Sequence, residues 1–178
     1  MGIERNFVPE MLVVGVLFTD EQRAAMAETM MRQSFGDLWL RSDPEPFGWT
    51  RYYVPEMGEG IMRAYWAFER LIDPSELADI KLATNRIEQM LAIDGKRLVN
   101  LDPGTLGPGR FCLATTKDRA HRIPLHDGIY AELTLIYERG AFHPLPWTYP
   151  DWASEPVRGM LAGLRQHLLG RLKAMHFL

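Results

Sequence analysis

The chain has one cysteine, Cys112, among 178 residues, so no disulfide can form within it. A domain of this length needs none, since folding alone buries roughly 70% of the unfolded surface. A thiol-preserving, cytoplasmic location is therefore expected. Long apolar runs are also missing. The longest, Met11–Phe18, falls far short of the ~20 residues that a membrane-spanning helix needs. Met1–Phe7 contains Glu4 and Arg5 and lacks the apolar stretch of a secretory leader. Positive charge is not in excess. The formal net charge is −3, which disfavours a duplex nucleic acid as partner.

Several catalytic signatures are missing as well. No Gly-x-x-x-x-Gly-Lys-Ser/Thr loop occurs. Thr116-Lys117-Asp118 only superficially matches the guanine-reading motif of GTPases, because Asp118 directly follows Lys117. A P-loop GTPase is thereby excluded. No Gly-x-Ser-x-Gly elbow is present. Asp102, His121 and Glu132 are metal-ligand types, but no His-x-x-x-His, His-x-His or paired-cysteine spacing supports a metal centre, and no cofactor can be named. Cys112 sits in an apolar strand and reads as an inert core thiol. The ten methionines fall mostly in helical stripes, as core filler.

What is present is the pattern of an ordinary globular domain, 47% hydrophobic and 24% charged. Met11–Phe18 (MLVVGVLF) reads as a central strand covered on both faces. Thr19, with Gln22 three residues on, predicts a helix cap, and the helix runs to about Ser34 before Gly36. Leu38–Arg41 is a short strand. Ser42–Gly60 is Pro- and Gly-rich with embedded aromatics, a loop long enough to act as a lid. Ile61–Arg70 alternates as a half-buried strand, with Met62, Ala64, Trp66 and Phe68 on one face and Arg63 and Glu69 on the other. Asp73-Pro74-Ser75-Glu76 starts a helix whose face is Leu77, Ile80, Thr84, Ile87 and Leu91. Strands follow at Arg97–Leu101, Phe111–Thr116 and Ile129–Glu138, then an Arg139-Gly140 hairpin tip leading to Ala141–Leu145. Ser154-Glu155-Pro156 opens a last helix with the stripe Val157, Leu161, Leu164, Leu168, Leu172 and Met175.

The first six elements match the ferredoxin-like βαββαβ pattern. The expectation is a single α+β domain over residues 1–178. Its sheet is mostly antiparallel with helices packed on one face, and a strand hairpin and helix extend the core. A mixed three-layer sheet is the competing architecture.

Groups able to do chemistry crowd between Asn100 and Glu132. On the strand Ile129–Glu138, alternation puts Ile129, Ala131, Leu133, Leu135 and Tyr137 on one face and Tyr130, Glu132, Thr134 and Glu138 on the other. Asn100 and Asp102 share a face of their own strand. If these strands are neighbours, the carboxylates converge beside the basic turn Lys117–Arg122. His121, Glu132 and Asp102 are then the candidate acid/base groups. Asn100, Lys117, Arg122 and Tyr130 are the candidate ligand-binding groups, with Lys117 and Arg122 holding an anion. The competing reading is a wet outer sheet face with routine cross-strand polar pairs. Gly104, Gly107 and Gly109 read as a tight turn rather than an anion loop, since Pro103 and Pro108 remove donors.

The segments RLVNLDPGTL, LATTKDRAHRIPL, GIYAELTLIY, PLPWTYPDW and FERLIDPSELADIKLATN occur in order. Through them, nearly the whole chain from Met11 to Trp152 resembles the bacterial and archaeal family catalogued as domain of unknown function 4416. LVVGVLFTDE and PFGWTRYYVPEMG resemble the family's counterparts. The resemblance implies no established activity, cofactor or catalytic residue. The function expected from the residues is binding, with or without processing, of a small anionic or phosphorylated ligand around residues 100–132. The alternative is a non-enzymatic scaffold that forms a homo-oligomer through exposed aromatics at Trp147–Trp152 and the glycine-spaced last helix.

Overall fold

The computed structural model describes residues 2–178. Strand β1 (Glu10–Phe18) is followed by helix α1 (Glu21–Phe35), then β2 (Leu38–Arg41), β3 (Glu45–Pro46), the short helix α2 (Val54–Met57) and β4 (Met62–Ile72). Helix α3 (Leu77–Met90) leads to β5 (Val99–Leu106), β6 (Arg110–Thr115), β7 (Arg122–Pro124), β8 (Tyr130–Glu138) and β9 (Ala141–Pro144). The chain closes with α4 (Pro150–Ala153) and α5 (Glu155–Ala174). All nine strands join one antiparallel sheet in the order β2-β4-β1-β5-β6-β8-β7, with β3 on β4 and β9 on β8. The stretch β2-β4-β1-β5 is compatible with the split pattern read from the first six elements.

Alternation along β1 sends its side chains into two cores. Leu12, Val14, Val16 and Phe18 pack with Ala24, Ala27 and Met31 of α1 and Ile80 and Ile87 of α3. Met11 and Val13 pack on the opposite face with Leu161, Leu164, Leu168 and Leu172 of α5. Helices α1 and α3 share a face, but the expectation of all helices on one face fails for α5. The reason lies in the apolar run of β1, buried at every position, which needs cover on both sides. Strand β4 is likewise buried on both faces from Arg63 to Phe68. Arg63, expected on a wet side, is 6% exposed.

Three local expectations also shift. The α1 cap is Asp20, whose side chain accepts from the Arg23 N–H at 2.9 Å; the Thr19 hydroxyl instead donates to the Met57 carbonyl. The register of β8 slips opposite Phe111 and Cys112, so its odd positions do not form one face. Ile129 and Ala131 pack with Leu77 and Ala78, whereas Leu135 and Tyr137 join the α5 core. Strand β5 runs on through Pro103 and Gly104 to Leu106, where the sequence suggested a loop after Leu101. Within this strand residue 104 has room only for glycine, since a Cβ there would stand 2.6 Å from both the Cys112 carbonyl oxygen and the Phe111 ring.

The fork that positions the site arises between β5 and β6. They pair only from Gly104↔Leu113 to Leu106↔Phe111. Beyond that point β5 stays on β1 and β6 stays on β8. The backbone of Leu101, left without a strand partner on this side, is taken over by α3. Its N–H donates to Glu88 Oε1 at 2.6 Å and its carbonyl accepts from Lys81 Nζ at 2.8 Å. Both side chains are buried, as an otherwise unpaired strand group in the interior requires.

Two outcomes follow from this packing. Leu168→Ala, in the α5 stripe, should lower stability by about 2–5 kcal/mol, read from the urea midpoint at unchanged m-value. The Cys112 thiol is pushed by burial up to about 11, against an ordinary 9.0. At pH 8 the folded protein then carries roughly 100-fold less thiolate than an ordinary cysteine. Alkylation should be slow until the pH nears that value or the chain is unfolded in urea.

Candidate functional site

The fork opens a cleft of about 500 Å3. Registry fixes its floor. Leu17 of β1 lies opposite Arg63 of β4 and Asn100 of β5; Gly15 lies opposite Asp102; and Leu113 of β6 lies opposite Glu132 of β8. These side chains therefore share the α5 face of the sheet. Lys81 and Asn85 reach the same cleft from α3, on the other face, through the gap between the strands. The walls are Phe47, Trp49, Tyr52 and Tyr53 of the β3–α2 loop on one side and Tyr149 and Trp152 around α4 on the other.

Arg63 anchors the floor. Its guanidinium lies across β1 where Gly15 leaves room, since a Cβ on residue 15 would stand 2.5 Å from a guanidinium nitrogen and 2.8 Å from the Trp152 ring. Nη2 pairs with Asp151 at 2.7 Å, and Nη1 lies 3.6 Å from Asp102. The rings of Tyr65 and Trp152 flank it, with centroids 4.9 and 5.2 Å from Cζ. Burial pulls its pKa down, but Asp151, Tyr65 and Asp102 more than offset that and leave it raised. The charge is therefore permanent.

Arg97 ties the loop to the sheet. It grips Glu56 of α2 with two bonds, at 2.6 and 2.7 Å, and donates to Glu88 and Asn100 at 2.9 Å each. Hydrogen bonding to Arg97 holds the Glu56 carboxyl below the usual carboxylate range. Burial pushes Glu88 above it, against the pull of Lys81, the Leu101 N–H and Arg97. Asn100 passes its amide on to Asp102 at 2.9 Å, and Lys81 Nζ lies 3.9 Å from the same carboxylate. Burial also pushes the Tyr53 phenol up, so it stays a neutral donor in the wall.

The other end of the cleft is organised by Arg122. Its Nε donates to Glu132 Oε2 at 2.7 Å, Nη1 to the Lys117 carbonyl at 2.8 Å and Nη2 to the Tyr149 hydroxyl at 3.0 Å. His121 Nε2 lies 3.0 Å from the same Glu132 Oε2, and the His121 ring stacks on Trp147 with centroids 4.7 Å apart. Glu132 Oε1 is buried and has no hydrogen-bond partner among the described residues. The Lys117 ammonium sits 4.1 Å from the centre of the Tyr52 ring. Among the described residues it has no carboxylate within ion-pair distance, unlike Arg63, Lys81 and Arg97.

Of the seven residues selected from the sequence, Asn100, Asp102, Lys117 and Glu132 line the cleft. His121 and Arg122 lie behind Glu132. Tyr130 is half-buried, opposite Thr115 and Pro124, away from the lining. Trp152, expected on an exposed aromatic patch, is 1% exposed in the α5 core. The residues the sequence reading passed over are Arg63, Lys81, Asn85, Arg97, Tyr149 and Asp151. One signal was present. Leu77, Lys81, Thr84 and Glu88 follow the i, i+4, i+7, i+11 spacing of a buried helix stripe, so two charged side chains fall on a face that packs inward.

Together these features define an α+β protein with an antiparallel sheet and a forked, aromatic-walled polar cleft. The chain belongs to the family described as Domain of unknown function (DUF4416), whose model matches residues 8–168. No curated protein and no solved structure matches it. No helix among the described residues is long and apolar enough to cross a membrane.

The Arg122–Glu132 pair lends itself to a double-mutant cycle. Both side chains are nearly inaccessible, at 5% and 2% exposure, so Arg122→Met leaves the buried Glu132 carboxylate with His121 alone beside it and should cost about 3 kcal/mol. Adding Glu132→Gln should return part of that loss, giving a coupling energy well above zero in urea melts.

Proposed function

We propose that the cleft binds a small anionic ligand, with Lys117 as the group that meets the anion. The observation that carries this reading is the contrast among the cations of the lining. Arg63, Lys81 and Arg97 are each tied to carboxylates or backbone, whereas Lys117 rests only on an aromatic face. An ammonium held over a ring keeps its charge and gives up little when a phosphate or carboxylate arrives. The size of the cleft falls within the roughly 300–1,000 Å3 that small-molecule sites occupy.

Arg122, one of two anion holders expected from the sequence, has a different role in this reading. Its guanidinium is engaged on Glu132, the Lys117 carbonyl and Tyr149, and it sets the position of these three lining residues. Asp102 and Glu132 are the candidate acid/base groups that reach the ligand, and His121 acts on Glu132 from behind. Proton transfer to or from a bound hydroxyl is the chemistry such carboxylates support.

A ligand that binds only the folded chain must raise its melting temperature. A thermal-shift panel of phosphates, sugar phosphates and nucleotides should give a rise of several degrees with at least one compound, since each kcal/mol of binding moves a domain of this size by about 2–4 °C. Lys117→Ala should abolish that rise while leaving the ligand-free melting point nearly unchanged, because the residue is exposed. A panel that moves nothing, at millimolar concentration, sinks the reading.

A further inference from the structure

Away from the cleft, a bulge at one sheet edge builds a second titratable cluster. Strand β2 pairs with β4 as Leu38↔Phe68 and Leu40↔Ala67, so Trp39 is an extra residue on the edge strand. The bulge puts Leu38 against the core under α1 and α3 and Leu40 against the α5 core, where strict alternation would keep both on one face. It also turns Trp39 onto α5. The indole lies flat on the His167 imidazole, with ring centroids 3.6 Å apart and planes 8° from parallel.

Glu69 of β4 closes the cluster. Its Oε2 stands 3.7 Å from His167 Nε2, too far for a hydrogen bond. Both atoms are closed to solvent, and neither has a hydrogen-bond partner among the described residues. Arg171, one turn along α5, occupies the rest of Glu69. Its Nη1 donates to the backbone carbonyl and lies 3.2 Å from Oε1. Glu69 from β4 and Arg171 from α5 are thus the charged groups beside the imidazole. The segment around β2 brings none, because Arg41 is paired with Glu28 and Asp37 with Arg32, both of α1.

A neutral imidazole leaves this arrangement half-made. One of its nitrogens carries a lone pair, and a lone pair on Nε2 meets the Glu69 carboxylate as acceptor against acceptor. A second proton makes both nitrogens donors, so Nε2 then points a hydrogen at Oε2. The ring also gains a full positive charge, with the carboxylate at its edge and the indole face against it. Arg171 opposes that charge, and its own contact with Oε1 tempers the opposition. Because the two partners come from β4 and β2, charging the imidazole draws both strands toward α5. The unfolded chain offers no such partners, so the charge favours the folded state.

We infer that Trp39, Glu69 and His167 form a proton-operated clasp that fastens the β2 edge of the sheet to α5, tight when the imidazole is charged and slack when it is neutral. The clasp is a regulatory device of the fold and is independent of the anion reading at Lys117.

The test takes the full chain from about pH 8 to about pH 5.5, which spans the ordinary titration of an imidazole. The readouts are melting temperature and tryptophan emission, each as a difference between wild type and variant. The difference is needed because other groups titrate as well, among them His121 on Trp147. Relative to His167→Gln, wild type should gain about 2–4 °C in melting temperature on acidification. Glu69→Gln, which keeps the shape and removes the charge, should lose most of that gain. Trp39 is 52% exposed, so Trp39→Phe leaves the cores intact and isolates the emission of residue 39. That emission should change over the same pH range and stay level in a His167→Gln background. If the gap between wild type and His167→Gln is the same at both ends of the range, the clasp is overturned. A gain that survives Glu69→Gln, or a Trp39 emission that ignores pH, overturns it equally.

Discussion

The backbone of Leu101 is where this fold becomes a container. A strand in the middle of a sheet normally finds hydrogen-bond partners on both edges, and at Leu101 one edge has none because β6 has turned away toward β8. The exposed N–H and carbonyl would each cost free energy if buried alone. Lys81 and Glu88 solve both at once from α3. Two opposite charges, one turn of helix apart from Thr84 on either side, thus hold open a gap that a continuous sheet would close. Without that pair the two strands would have to zip together or let in water, and Lys81 and Asn85 could not line a space on the far side of the sheet.

Everything polar in the cleft is arranged around that opening. Arg97 draws together Glu88, Asn100 and Glu56, so the same carboxylate that caps Leu101 is also tied to the loop that forms the aromatic wall. Arg63 plays the matching role on the floor, bridging Asp102 and Asp151 beneath the Trp152 ring. The Arg63–Asp151 pair is buried and the Arg97–Glu56 pair partly exposed, and both are weak evidence for stability, because desolvation in the first and solvent screening in the second offset most of the attraction. Their value here lies in geometry, since a guanidinium with two or three fixed partners has one orientation. The floor and the Arg122 end of the cleft are therefore each held in one arrangement.

Much of this was legible in the sequence and some was not, for identifiable reasons. The apolar run of β1, the cap at Asp73, the Ser154-Glu155-Pro156 helix start and the stripe of α5 are local signals, and they placed the elements. Convergence of Asn100, Asp102 and Glu132 was readable because strand alternation is exact to one residue until a bulge intervenes. The bulge opposite Phe111 was not readable, and it moved Leu135 and Tyr137 to the other face. The fork was hidden for a related reason. Pairing is a property of two strands, and no residue of β5 announces that its partner leaves at Gly104. Arg63 was missed because a charged residue in an alternating strand reads as solvent-facing, and only Gly15 on a neighbouring strand, with no side chain, makes the space that buries it.

That last pairing of a missing side chain with a buried charge is open to a direct argument. Small residues at strand centres cost stability, because glycine has the most backbone freedom to lose and nothing to pack. Gly15 sits in β1, flanked by Val14 and Val16, where a β-branched residue would be the better strand former. What offsets that cost is the guanidinium lying over it and, through it, the position of Asp102 and Asp151. Adding one methyl group at residue 15 would strain the core by the ~1–3 kcal/mol typical of overpacking. It would also lift Arg63 off β1 and move the carboxylates that depend on it. A position where local propensity is sacrificed to seat a buried charge sets the floor of the cleft and is not a filler of the core.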